Sequence, residues 1–293
     1  MKVATIGFFD GVHRGHQYLI QQVKDEALRK GGEPSIVTFA NSPKSVISPD
    51  VACPLLTTLD EKLDLIADFG IPNIELVEFN TQVAQLTARE FMQNLLYDVI
   101  GVRVLVIGYD NRFGHNRAEG FDDYVRYGKE IGIEVVRAEA LSCGEKPVSS
   151  SLIRNYLKEG KVAEANELLG YQYFLEGEVV GGEHIGRTLG YPTANISVAK
   201  DKLLPHDGVY AAWVEVGEKS YKGMLNIGNR PTFEGQNHTV EVHLLDYDGD
   251  LYQQKVTLRL AGFLREEQKF ENAEALKSQL LKDEQYVRNQ LVR

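Results

Sequence analysis

Val3-Ala4-Thr5-Ile6-Gly7-Phe8-Phe9-Asp10-Gly11-Val12-His13-Arg14-Gly15-His16 stands near the start of the chain, and its reading decides the fold. The first four residues form an apolar run suited to a buried strand. Glycines at 7, 11 and 15 then permit a tight turn, and a helical period runs from His16 to Lys30. A strand entering a helix through such a turn begins a βαβ unit. Free amides at the helix start bind phosphate, which makes Gly7, Asp10, Gly11 and Gly15 candidate phosphate-site residues. His13 and His16 flank Gly15 at a spacing that places both imidazoles near one phosphate, where they would donate to charge developing on phosphorus. The plainer alternative is a turn with two exposed histidines. Two of the chain's seven histidines at one strand–helix junction weigh against it. A metal site here lacks a third ligand nearby.

Outward from this stretch the first half alternates. Apolar runs at Ser35–Phe39, Ile74–Val77, Val102–Ile107 and Ile133–Val136 read as further strands. Helical periods at Leu59–Phe69, Ala88–Val99 and Phe121–Ile131 lie between them. In the first of these, Leu63, Ile66, Ala67 and Phe69 are expected on the inner face. Strands separated by helices imply an α/β domain on a parallel sheet, with ligands at the carboxyl ends of the strands. Near residue 150 the pattern changes. Ser149-Ser150-Ser151 is placed to cap a helix over Leu152–Lys158, and a second helix over Val162–Leu169 stops at Gly170. Strands follow at Leu175–Val180, Gly208–Val216, Tyr221–Ile227, Thr239–Leu245 and Lys255–Leu260. About five strands without intervening helices imply a small antiparallel barrel. Glu271–Arg293 reads as a terminal amphipathic helix using Ala275, Leu276, Leu280 and Val287. The expected domains are 1–165 and 172–293.

Composition agrees with that division. At 293 residues, 43% hydrophobic and 25% charged, the chain has the makings of about two globular domains. No apolar run approaches the ~18–20 residues that span a bilayer, and the N-terminus lacks the features of a signal peptide. Cys53 and Cys143 make neither a disulfide framework nor a zinc motif. A net charge of −10 without a Lys/Arg stripe disfavours nucleic acid as a partner, while small anionic ligands remain compatible. The expected setting is cytoplasmic, without a membrane partner. No exposed apolar stripe specifies an oligomeric state.

The string Gly7 to His16 resembles the adenylyltransferase module of prokaryotic bifunctional riboflavin kinase/FAD synthetases, within the nucleotidyltransferase superfamily. Gly108-Tyr109-Asp110-Asn111-Arg112-Phe113-Gly114 and Ser149-Ser150-Ser151-Leu152-Ile153-Arg154 resemble two further motifs of that family, in family order. The resemblance implies a Rossmann-like sheet and transfer of AMP from ATP to FMN, giving FAD and pyrophosphate. It implies that His13 and His16 stabilise the transition state and that Ser149, Ser150, Ser151 and Arg154 hold pyrophosphate. Asp110 and Arg112 would contact the flavin. The chain departs from the family pattern at Asn41, Ser42, Asn111 and Leu152, where Pro, His, an aromatic residue and Arg are usual.

A second chemical stretch runs from Gly177 through Gly181, Gly182, Gly186, Arg187 and Gly190 to Tyr191-Pro192-Thr193-Ala194-Asn195. Successive glycines can present backbone amides to polyphosphate, although no Gly-Lys-Ser/Thr follows as in a P-loop. Taken alone it also reads as a β-turn region. Its context resembles the riboflavin kinase module of the same family, as do Asn226-Ile227-Gly228 and Val240-Glu241-Val242-His243. The resemblance implies phosphorylation of riboflavin by ATP, with Thr193 and Asn195 engaging Mg²⁺ and phosphates. Gly181, Gly186 and Arg187 would lie at the nucleotide. From strand spacing alone Glu241 reads as a surface carboxylate; the resemblance reverses that reading and makes it the general base. Trp213 is left to the core. The implied small molecules are ATP, Mg²⁺, riboflavin, FMN and FAD. Two alternatives stand beside this bifunctional reading: a riboflavin kinase whose first half is weak or differently specific, and a non-catalytic flavin- or nucleotide-binding regulator.

Overall fold

A computed structural model describes residues 1–51, 53–109, 111–115, 117–141, 148–181, 190–232 and 235–292. The chain divides into two compact units, Met1–Ser150 and Ser151–Arg293.

In the first unit β1 (Lys2–Ile6), β2 (Glu33–Phe39), β3 (Asn73–Val77), β4 (Val102–Ile107) and β5 (Glu134–Arg137) form a parallel sheet in the order β3-β2-β1-β4-β5. Both faces are covered, as a parallel sheet requires. Val3, Val104 and Val106 pack under Val23 and Ala27 of α1 (Arg14–Lys30). On the other face Ala4, Ile6, Leu105 and Ile107 meet Met92, Leu96 and Tyr124. The strand order reverses at β1, whose neighbours are β2 on one side and β4 on the other. Crevices at such reversals, outside the carboxyl ends of the strands, are where open α/β sheets bind ligands. The turns after β1 and β4 lie there.

Three details depart from the sequence expectation. α3 (Leu59–Asp68) buries Glu61, Lys62 and Ile66, while Ala67 is exposed. The inner face is therefore shifted by about one residue, because Glu61 is drawn in to close a capping box with Thr58. The helix after α4 (Thr81–Gln85) starts α-helical as α5 (Ala88–Glu90) and continues as a π-helix over Phe91–Ile100. Over ten residues a hydrophobic period does not separate 3.6 from wider turns. α2 (Pro43–Ile47) and α4 bury no residue and so carry no periodic signal.

After α6 (Phe121–Ile131) come α7 (Ser150–Lys158), which belongs to the second unit from its second residue on, and α8 (Val162–Leu169). Six strands then close a barrel, β6 (Phe174–Val180), β7 (Ala194–Val198), β8 (Gly208–Val216), β9 (Lys219–Thr232), β10 (Gly235–Leu244) and β11 (Lys255–Arg265), in the order β10-β7-β6-β11-β8-β9. β7 is the strand beyond the five expected, hidden by a proline and two polar residues just before it. Asn166 of α8 donates to Leu260 O and accepts from Tyr173 N, so this helix packs with the barrel. The limit expected at 165 lies within α8 (Val162–Leu169). α9 (Ala273–Gln290) lays Val287 and Leu280 against Ala211, Met224 and Trp213. Ala275, expected on its buried face, is exposed.

Candidate functional sites

The turn after β1 is tightly wound. Phe9 (φ 55°) and Val12 (φ 33°) join Gly11 (φ 80°) in the left-handed region. That conformation costs a non-glycine residue on the order of 1–3 kcal/mol and persists only where packing dictates it. Here both side chains are buried among Ile20, Ile36, Ile66 and Ile71. Asp10 Oδ1 accepts the backbone N–H groups of Leu56 (2.9 Å) and Thr57 (3.2 Å), and Gly11 N donates to Thr57 Oγ1. Ser150 Oγ donates to Asp10 O at 2.9 Å. The visible part played by Asp10, expected at the phosphate, is to fix this turn.

His13 is the N-cap of α1, its Nδ1 accepting from His16 N at 3.4 Å. Acceptance at Nδ1 leaves Nε2 as the donor of the neutral ring. The two imidazoles stack, centroids 3.6 Å apart and planes 15° from parallel. Gly15 makes room for them, since a Cβ there would meet the His13 ring at 3.2 Å. Burial first, and the neighbouring His13 second, hold the His16 pKa well below 6.5. His16 Nδ1 is buried, with no hydrogen-bond partner among the described residues. A cavity of about 250 Å³ opens here, lined by His13, Gly15, His16, Gly108, Ser149 and Ser150. Ser151 (exposed) and Arg154 (half-buried) follow on α7. Arg112 is exposed, Asn111 Nδ2 donates to Ile6 O, and Asp110 lies outside the described residues.

Lys62 escaped the sequence reading. It is buried, its Nζ donates to Phe39 O at 2.7 Å, and it sits 4.4 Å from the Phe8 ring centroid. Burial lowers its pKa to about 8 against the opposing pull of Asp10. A lysine four residues before Ile66 on one helix face was the available signal.

On the barrel, Glu241 lies in register with Asn195 of β7 on one side and Asn226 of β9 on the other. Cross-strand partners share a face, so these three polar side chains stand abreast. Val240 and Val242 turn into the core instead. Thr193, just before β7, donates its hydroxyl to Glu241 Oε2 at 3.3 Å. Asn226 Nδ2 donates to Glu267 Oε1 at 3.0 Å, and that carboxylate lies over Gly228, where a Cβ would have to displace it. Asn226 stood in a quoted stretch without a site role and Glu267 in none, because their neighbourhood arises only from strand register. A cavity of about 170 Å³ is lined by Gly181, Thr193, Ala194, Val242, Leu244 and Tyr252; it touches Thr193 but lies with Ala194 and Val242, which alternate to the face opposite Asn195 and Glu241. Gly186 and Arg187 lie outside the described residues. Among the described residues no group of three or more His, Cys, Asp and Glu side chains could hold a metal ion.

Residues 1–152 match the FAD synthetase family and residues 169–291 the riboflavin kinase family. Curated relatives match nearly end to end. The bifunctional riboflavin kinase/FMN adenylyltransferase of Escherichia coli K12 is 38% identical over 283 residues, 96% of this chain and 90% of its own. The chain belongs to the bifunctional riboflavin kinase/FMN adenylyltransferase family. Enzymes of the same description from Listeria monocytogenes (37% identity, 98% of this chain and 91% of theirs) and Bacillus subtilis (34%, 97% and 90%) are similar throughout. A solved structure described as a macrolide-efflux protein from Streptococcus pneumoniae superposes with a TM-score of 0.91, covering 98% of this chain and 94% of that one at 30% identity. No helix among the described residues of this family member is long and apolar enough to cross a membrane. Both activities of the family follow: riboflavin is phosphorylated to FMN and FMN is adenylylated to FAD, with ATP and Mg²⁺.

Proposed function

We propose that each activity has its own site on this chain: adenylyl transfer at the cavity of the first unit, within residues 1–165, and phosphoryl transfer at the row on the barrel, within residues 172–293. The observation that carries the reading is the pair His13–His16, stacked over Gly15 at the sheet's reversal point, set beside an independent Thr193–Glu241 contact in the other unit.

In the first reaction a phosphate oxygen of FMN attacks the α-phosphorus of ATP. The new O–P bond forms as the bond to the β-phosphate oxygen breaks, and pyrophosphate leaves. No covalent enzyme intermediate is needed, so the chain positions reactants and offsets charge. His13 donates from Nε2, and the buried Nδ1 of His16, which has no partner among the described residues, gains one when phosphate oxygens arrive. Ser149, Ser150 and Ser151 supply hydroxyls, and Arg154 a charge, for pyrophosphate. Gly7, Gly11 and Gly15 allow the close backbone approach. Arg112, with Asp110, is assigned to the flavin.

In the second reaction Glu241 takes the proton of the riboflavin 5′-hydroxyl as that oxygen attacks the γ-phosphorus, and ADP leaves. A hydroxyl that donates to a carboxylate keeps its lone pairs for a cation. The Thr193 hydroxyl and the Asn195 amide are thus hard oxygen donors of the kind Mg²⁺ takes. Bound there, the ion would neutralise phosphate charge. Gly181, Gly186 and Arg187 are assigned to the nucleotide. The proposed setting is the cytoplasm.

The test is incubation with riboflavin, ATP and magnesium, followed by chromatography of the flavins over time. FMN followed by FAD is expected. FMN that accumulates without FAD overturns the assignment of the first cavity, and absence of both overturns the two-site reading.

A further inference from the structure

Thr193 owes its place to more than strand pairing. The β7–β10 ladder runs only from Ala194 opposite Val242 to Asn195 opposite Glu241. Residues 191–193 precede it, and Pro192 has no N–H with which to extend it. What holds them is a set of side chains. His243 stands two residues beyond Glu241 on β10 and therefore on the same face. Its Nδ1 lies 2.7 Å from Pro192 O, so Nδ1 carries the proton and donates. The carbonyl it grips belongs to the peptide that leads into Thr193. The Tyr191 ring meets His243 edge-on with centroids 5.2 Å apart, and its hydroxyl donates to Glu284 Oε2 of α9 at 3.0 Å. Glu284 is anchored in turn: Arg288 Nε donates to its Oε1 at 2.9 Å, and the same guanidinium forks onto Asp246 at 2.7 and 2.8 Å. Lys222 Nζ closes the arrangement on Arg288 O at 3.0 Å.

We propose that His243 and Glu284 are positioning residues for riboflavin phosphorylation, clamping Tyr191-Pro192 from two sides so that the Thr193 hydroxyl meets Glu241. Neither touches the reacting atoms. His243 fixes the peptide plane before Thr193, and Glu284 ties the preceding ring to the terminal helix. α9 thereby reaches the segment through the Glu284–Tyr191 bond, while the His243–Pro192 bond comes from β10. The proposal rests on Thr193 and Glu241 belonging to the phosphoryl-transfer site.

The experiment uses the full chain and compares His243→Leu, His243→Asn, Tyr191→Phe and Glu241→Gln. Steady-state FMN formation is measured, and FAD formation from supplied FMN reports that each variant is intact. Asparagine presents its amide N–H near the position of Nδ1. With His243→Leu, kcat for FMN formation is expected to fall about 10- to 100-fold, as when a group orienting a metal ligand is lost, with KM for riboflavin within about twofold. His243→Asn should recover most of that loss. Tyr191→Phe, which keeps the ring and removes only the bond to Glu284, should lower kcat about 2- to 10-fold and serves if His243→Leu does not fold. An unchanged kcat in both His243→Leu and Tyr191→Phe overturns the clamp. So does His243→Asn performing no better than His243→Leu, which would reduce the residue to packing. If Glu241→Gln itself retains full FMN formation, the site assignment fails first, and the clamp with it.

Discussion

The imidazoles of His13 and His16 lie face to face, their centroids 3.6 Å apart. Burial and the neighbouring His13 ring both favour the neutral form of His16. A neutral His16 still carries one N–H with which to donate a hydrogen bond into the cavity. Removing it takes away a preorganised donor for the transition state. His16→Ala should lower FAD formation from supplied FMN by about 10²- to 10³-fold and leave FMN formation from riboflavin unchanged. Chromatography of the two reactions run separately checks both halves of the statement.

The same burial makes the first unit sensitive to acid. The folded pKa of His16 lies below its ordinary 6.5, so the unfolded chain binds a proton that the folded one refuses. The stability associated with neutral His16 is complete above pH about 6.5 and is lost as pH falls toward the folded pKa. The slope is at most about 1.4 kcal/mol per pH unit for one proton. Urea unfolding of the wild type and of His16→Gln at several values between pH 7.5 and 5 should show a shallower decline in the variant. Carboxylates contribute equally to both curves, so the difference isolates the histidine.

Glu241 sits between Asn195 and Asn226 and accepts the Thr193 hydroxyl, so Glu241→Gln keeps the shape and removes the base. FMN formation should fall by about 10²- to 10⁴-fold, the range a positioned general base contributes. FAD formation from supplied FMN should persist. Loss of both activities in a folded protein would contradict two separate sites.

Much of this was legible in the residues. Strands buried on both faces write themselves as apolar runs, and β1, β2 and β4 were found within about two residues for that reason. The glycines around His13 and His16 advertised a close turn because the backbone there needs them. What stayed hidden depends on register and on side chains that defy pattern. Asn226 joins Glu241 only because β9 and β10 pair as they do. Lys62 is a charged residue turned inward, and His243 looks like any alternating strand residue until Pro192 is seen against it. Nor did the sequence show that the Asp10 carboxylate meets the amides of Leu56 and Thr57, a contact set by how the turn folds back on residues 56 and 57.

Asn111 takes the place of the aromatic residue usual in the family, yet it is not idle. Its amide donates to Ile6 O, joining the turn after β4 to the end of β1. Asn111→Phe should therefore lower the stability of the first unit by about 1–3 kcal/mol, the cost of leaving a largely buried carbonyl unpaired. It should not raise FAD formation, since the chain there is built around the amide. Chemical denaturation and the FAD assay on one preparation test both expectations.

Asp283 precedes Glu284 on α9 and decides whether that helix stays docked. It is buried, and Arg265 of β11 holds it through Nε (3.1 and 3.0 Å) and Nη2 (2.7 Å), with Gln279 Nε2 adding a bond at 2.8 Å. Deleting one member of a buried pair strands the other charge. Asp283→Ala should cost the second unit about 3–5 kcal/mol, while the double change Arg265→Met with Asp283→Leu should recover most of it. Because α9 carries Glu284, Asp283→Ala should also lose FMN formation at a lower temperature than FAD formation. Thermal inactivation followed separately for each product makes the comparison. Equal inactivation temperatures would mean that α9 supports the barrel without bearing on its site.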